Sequence, residues 1–134
     1  MNGISLPFHL IAPAIISIFI LGIILLKGSH LFNNRRRRWY WISLTIFFVL
    51  YLLIVGGAAY TDISLQLKLR AFDLDGNGFF SGNEITPEQE ALTSKLIADT
   101  GRTFSFITGL IFSGLISIPV FVIGRIYEYI KRND

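Results

Sequence analysis

Trp41 to Tyr60 reads WISLTIFFVLYLLIVGGAAY, a run with no acidic or basic side chain. A bilayer core about 30 Å thick is crossed by roughly 20 apolar residues in a helix, so this stretch alone predicts a span. Two more runs meet the same test. Leu6 to Leu26 reads LPFHLIAPAIISIFILGIILL, with His9 as its one basic group, and Thr103 to Gly124 reads TFSFITGLIFSGLISIPVFVIG. Composition agrees. Charged residues make up 16% of the chain and mean hydropathy is +0.58, whereas an ordinary soluble domain carries about 25% charge. Disorder is excluded, because it needs low hydrophobicity and high charge. The absence of cysteine excludes disulfide frameworks, thiolate metal sites and cysteine nucleophiles. The first run lacks the basic start of a signal peptide, and Lys27 follows it directly, so it reads as a retained helix.

Charge placement predicts orientation. Lys27 and Arg35, Arg36, Arg37 and Arg38 lie between the first two runs without an acid, and Arg125, Lys131 and Arg132 follow the third. The positive-inside rule makes this loop and the tail cytoplasmic, and it puts the N-terminus and residues 61–102 outside. Trp39, Tyr40 and Trp41 beside the arginines, and Tyr60 at the far edge, suit interfacial belts. The four arginines also match a nucleic-acid footprint. Beside a span, they read instead as topology and anionic-lipid determinants, and no nucleic-acid partner is expected.

The polar segment 61–102 carries seven acids against four bases, a net charge of −3, opposite in sign to the rest of the chain. Within it lies Asp73-Leu-Asp75-Gly-Asn77-Gly78-Phe79-Phe80-Ser81-Gly-Asn-Glu84. A hard cation such as calcium takes six to eight oxygens at about 2.3–2.6 Å, and alternate residues of a tightly coiled loop can bring them to one point. Asp73, Asp75 and Asn77 offer side-chain oxygens. Gly78 permits a positive φ, Phe79 a carbonyl, Ser81 a hydroxyl, and Glu84 two closing oxygens. This stretch resembles the EF-hand calcium loop, matching D-x-[DN]-x-[DN]-G-x5-E at every defined position. The resemblance implies that Asp73, Asp75, Asn77, Phe79 (by its backbone), Ser81 and Glu84 are Ca2+ ligands. It also places Phe80 where a partner loop normally packs.

Two departures set the segment apart. Ser81 with Glu84 forms a capping-box pattern, and Thr86-Pro87-Glu88-Gln89 spells a second helix start. A short turn followed by a separate helix from about Pro87 to Thr100 is therefore expected, stopped near Gly101. The loop also has no second copy. On the incoming side, Ile63, Leu65, Leu67 and Leu69 alternate with polar residues in the period of a strand, while the loop resemblance favours a helix.

In the third run, Ser105, Gly109, Ser113 and Ser117 recur every four residues, a small-residue stripe for close packing against the first two spans or another protein. Pro119 is expected to bend that span, and Gly56-Gly57 to loosen the second. No acid or base lies at depth to mark an ion pathway. The two histidines without cysteine make no zinc site. No nucleophile triad, phosphate loop or catalytic carboxylate pair occurs, so an enzyme is not expected. Ser43, Thr45, Ser105, Thr108, Ser113 and Ser117 offer polar faces for a pore, but no charged ring. The sequence therefore predicts an all-α protein of three transmembrane helices. Residues 1–60 form the first two with the basic loop, 61–102 the extracytoplasmic EF-hand-like segment, and 103–134 the third span and tail. The expected role is an accessory or assembly subunit that contacts lipid and either a larger membrane protein or itself, with a calcium-responsive sensor as the alternative.

Overall fold

The computed structural model describes residues 6–34 and 37–133. Arg35 and Arg36 of the arginine run, and residues 1–5, lie outside them. The described residues form six α-helices: α1 (Phe8–Leu26), α2 (Gly28–Asn33), α3 (Arg38–Arg70), α4 (Pro87–Ala98), α5 (Thr100–Thr103) and α6 (Ser105–Asn133), with a 3-10 turn at Gly82–Glu84. No strand occurs among them. Three helices are long and apolar enough to cross a membrane: α1, α3 and Ser105–Arg132 of α6.

The central helix is α3, with α1 and α6 packed along it and touching each other little. The inner seams combine small and polar residues with a few large apolar ones such as Leu10, Ile24 and Val55. On α1, Leu10, Ser17 and Ile24 are buried at intervals of seven, the period of helices packed with nearly parallel axes. On α6, Ser105, Gly109, Ser113 and Ser117 are buried, so the stripe faces α3 within the same chain. A Cβ on Gly109 would come within 3.1 Å of Ile54 Cγ2 and 3.2 Å of Tyr51 Cδ2. The Tyr51 hydroxyl donates to the Phe106 carbonyl at 3.1 Å, and the Ser43 hydroxyl donates to that of Ser117. The outer faces are the reverse: Phe19 is 70% exposed and Leu26 87%, while Ser17 and Ser113 are fully buried. Water would penalise such a surface, whereas lipid solvates it. The chain is accordingly a multi-pass membrane protein.

The stripe continues to Gly124, where a Cβ would fall inside the Trp39 ring. Gly124→Ala is expected to destabilise the protein by about 1–3 kcal/mol, because Trp39 must move out of a filled seam. Gly114→Ala is the control. Nothing lies within 4 Å of the added methyl there, so helix propensity leaves stability unchanged or raises it by up to about 1 kcal/mol. Thermal unfolding in detergent compares the two.

One open local reading is settled and one boundary moves. The incoming segment is helical: α3 continues unbroken past Tyr60 to Arg70. At about 1.5 Å per residue its 33 residues reach roughly 50 Å, well beyond a bilayer core. Gly56-Gly57 does not interrupt it, and the Thr61 hydroxyl donates to the Gly57 carbonyl at 2.9 Å. The expected stop at Gly101 lies instead at Asp99, whose carboxylate accepts the Arg102 amide at 2.9 Å and caps α5. Capping by the Asp99 side chain competes with helix continuation, so α4 ends at Ala98, three residues before the glycine. Pro119 lies inside α6.

Candidate metal centre

Residues 61–102 form a hairpin that leaves and rejoins the bundle at one end. The upward arm is the last three turns of α3, and α4 returns beside it. Thr86 caps α4 by accepting the Gln89 amide at 3.1 Å, with Pro87 at the first helical position, as the sequence predicts. Between the arms, Ala71 to Thr86 makes the tip.

The tip is wound around its own carboxylates. Gly78, at φ 81°, takes the positive φ expected of it, and Gly76 at 70° does likewise. These turns let Asp73 Oδ2 accept the Gly78 amide at 3.0 Å. Asp75 Oδ1 accepts the Asn77 amide at 3.0 Å, and Asn77 Oδ1 accepts that of Phe79 at 2.6 Å. Glu84 reaches back across the loop. Its Oε1 accepts the amides of Leu74 at 2.7 Å and Asp75 at 3.2 Å, and its Oε2 that of Ser81 at 3.0 Å. With Ser81 it forms the expected capping box, which opens only the 3-10 turn Gly82–Glu84.

One carboxylate oxygen from each of Asp73, Asp75 and Glu84 lies within 4.8 Å of the others. Asp73 Oδ1 is buried and accepts no hydrogen bond. A buried acceptor without a donor is costly unless something positive faces it, so this donor set suits a hard cation. Of the other expected ligands, Asn77 is turned into the loop, where its amide group donates to Asp75 Oδ2. Ser81 stands at the start of the 3-10 turn, and the Phe79 ring is 77% exposed. Phe80 is half-buried.

The Ser81 amide, then those of Leu74 and Asp75, hold the Glu84 carboxyl below its ordinary value of 4.5, against partial burial and the negative charge of Asp73, which pull upward. A carboxyl lowered on folding stabilises the fold fully above its ordinary value and loses that contribution as pH falls through the lowered one. In calcium-free protein, exchange protection at the Leu74, Asp75 and Ser81 amides is therefore expected to be level from neutral pH down to about pH 5, then to fall. Hydrogen-exchange NMR across that range checks this.

The base of the hairpin holds a group that motif reading passed over. Arg102 is buried, with its side chain 5% exposed, and its Nε lies 3.1 Å from Asp62 Oδ1 on α3. Its Nη1 lies 3.6 Å from Asp99 Oδ2, and its Nη2 donates to the Leu96 carbonyl at the end of α4 at 2.8 Å. Gln66 Nε2 donates to Asp62 Oδ2 at 2.7 Å. One guanidinium thus ties α3, α4 and α5 together where α6 begins. The available signal was positional: Asp62 is the first acid of the segment and Arg102 its last base. Comparison with protein-family models, curated proteins and solved structures found no match.

Proposed function

We propose that this chain is a calcium-binding accessory or assembly subunit of a larger membrane protein, with its hairpin on the extracytoplasmic side. The observation that carries the reading is the convergence of Asp73, Asp75 and Glu84 around a buried oxygen of Asp73 that has no donor. The loop is read as EF-hand-like. Asp73, Asp75 and Glu84 supply three negative charges, and the Asn77 amide oxygen, Phe79 carbonyl and Ser81 hydroxyl complete the oxygen set. Bound calcium would neutralise the crowded carboxylates and cross-link the two arms of the hairpin. The basic loop and tail set the orientation. With the Ser/Gly stripe of α6 occupied by α3, docking to a partner falls to the hairpin and the outer helix faces.

Outside a cell, calcium near millimolar would keep a weak site filled, which makes the loop a structural clasp. The sensor reading has one observation in its favour. Both arms are tied to spans, the incoming one continuous with α3 and the outgoing one joined to α6 through α5. Isothermal titration of the purified chain with calcium separates them. Affinity between about 10⁻⁴ and 10⁻³ M supports the clasp, and affinity tighter than about 1 μM supports the sensor. No heat and no calcium-dependent protection of the loop would remove both. Labelling from one side of sealed vesicles, at cysteines placed at Glu88 and His30, tests the orientation.

A further inference from the structure

A second polar site lies at the other end of the hairpin from the acidic loop. A cavity of about 550 Å³ opens beside α3 just beyond Tyr60, lined by Thr61, Leu65, Lys95, Ala98, Asp99 and Arg102. Its volume is within the range of small-ligand sites. Its height is fixed by the two spans it adjoins. The apolar run of α3 ends at Tyr60, and that of α6 begins a residue or two after Arg102, so the cavity sits at headgroup level of a bilayer.

The lining carries both signs of charge. The Arg102 guanidinium is almost fully buried, and its Nη1 makes no hydrogen bond, its nearest acid being Asp99 at 3.6 Å. Lys95 is exposed beside it, and the Asp99 side chain is 49% exposed. Asp62 stands 3.1 Å from Arg102 Nε. A simple anion would meet Lys95 and Arg102 but also the Asp99 carboxylate. A headgroup with a phosphodiester and a primary ammonium matches both. From this we infer that the cavity binds a phospholipid of the phosphatidylethanolamine type. The phosphate takes its donor from the exposed Lys95, with the buried charge of Arg102 beneath it, the ammonium donates to Asp99, and Leu65 and Ala98 cover the apolar side of the glycerol. Such a lipid would pack between hairpin and bundle at the joint where α4 turns into α6.

The test is native mass spectrometry of the full chain released from mild detergent with phosphatidylethanolamine, phosphatidylcholine or inorganic phosphate added. The expected result is one retained phosphatidylethanolamine, weaker retention of phosphatidylcholine, whose quaternary ammonium has no N–H for Asp99, and no retained phosphate. Lys95→Gln should weaken retention about fivefold, the loss of one basic contact to phosphate. Asp99→Asn, which keeps an oxygen to cap α5, should erase the preference between the two lipids. Ala98→Phe should block retention by filling the cavity. Circular dichroism and calcium titration of each variant report that the fold and the distant loop are intact. Unchanged retention in Lys95→Gln, or equal retention of the two lipids by the wild-type chain, would overturn the assignment. So would inorganic phosphate binding as well as lipid, which would make this a free-phosphate site.

Discussion

Glu84→Gln is expected to weaken calcium binding by roughly a hundredfold or more, with the chain still folded and its helix content unchanged. The substitution preserves size but removes one of the three negative charges in the cluster. It also replaces an acceptor oxygen with a donor. In the wild-type loop both oxygens of Glu84 accept backbone amides, those of Leu74 and Asp75 on one side and Ser81 on the other. Gln can serve one side only. Two effects are thus combined, fewer ligand charges and a looser loop before any ion arrives. Amide exchange in calcium-free protein separates them: faster exchange at Leu74 and Asp75, or at Ser81, reports the lost acceptor, and calorimetry reports the lost affinity. Asp75→Asn removes charge and keeps an oxygen for the Asn77 amide but not for the Asn77 side chain, so it should weaken affinity while loosening the loop at Asn77 alone. Calcium affinity equal to wild type in both variants would remove the metal reading altogether.

The three spans were legible because a bilayer imposes a length, and runs of that length without charge have few other uses. The loop's turns were legible at Gly78 and at Thr86-Pro87, where chemistry dictates backbone locally. The continuation of α3 was not. Ile63, Leu65, Leu67 and Leu69 alternate because that helix has different neighbours on different sides. Leu69 is buried, Leu67 is 52% exposed, and Asp62 and Gln66 face the Arg102 joint. Periodicity reports burial, and burial on several faces blurs the helical period. The Gly124–Trp39 contact was invisible for a related reason: it joins residues 85 apart through a fit of shapes rather than a pattern. The small-residue stripe was visible as spacing, but spacing cannot name the surface it meets. At the acidic loop, the donor types could be read directly. What could not be read is that Glu84 draws the loop closed by accepting three backbone amides.

Arg102→Met is expected to lower stability by about 3–5 kcal/mol, chiefly by leaving the Asp62 carboxylate without its cation in a mostly buried place. The two side chains are 5% and 16% exposed, so solvent and salt screen the pair little. Gln66 still donates to Asp62, which favours the lower end of that range. The double variant Asp62→Asn with Arg102→Met removes both charges and should recover most of the loss, since buried pairs often exchange for neutral groups at little net change. Thermal unfolding in detergent at low and high salt measures both. If the double variant is no more stable than the single one, the damage comes from the Leu96 carbonyl and the cap of α5 rather than from the orphaned acid. The same variant also distinguishes the clasp from the sensor. Arg102 lies far along the hairpin from residues 73–84 and touches none of the proposed ligands. Under the clasp reading, calcium affinity in Arg102→Met stays at its wild-type value. Under the sensor reading the loop and the joint share free energy, and linkage is reciprocal. If calcium shifts the joint by some factor, opening the joint must shift calcium affinity by that same factor, and one titration of this variant reads it.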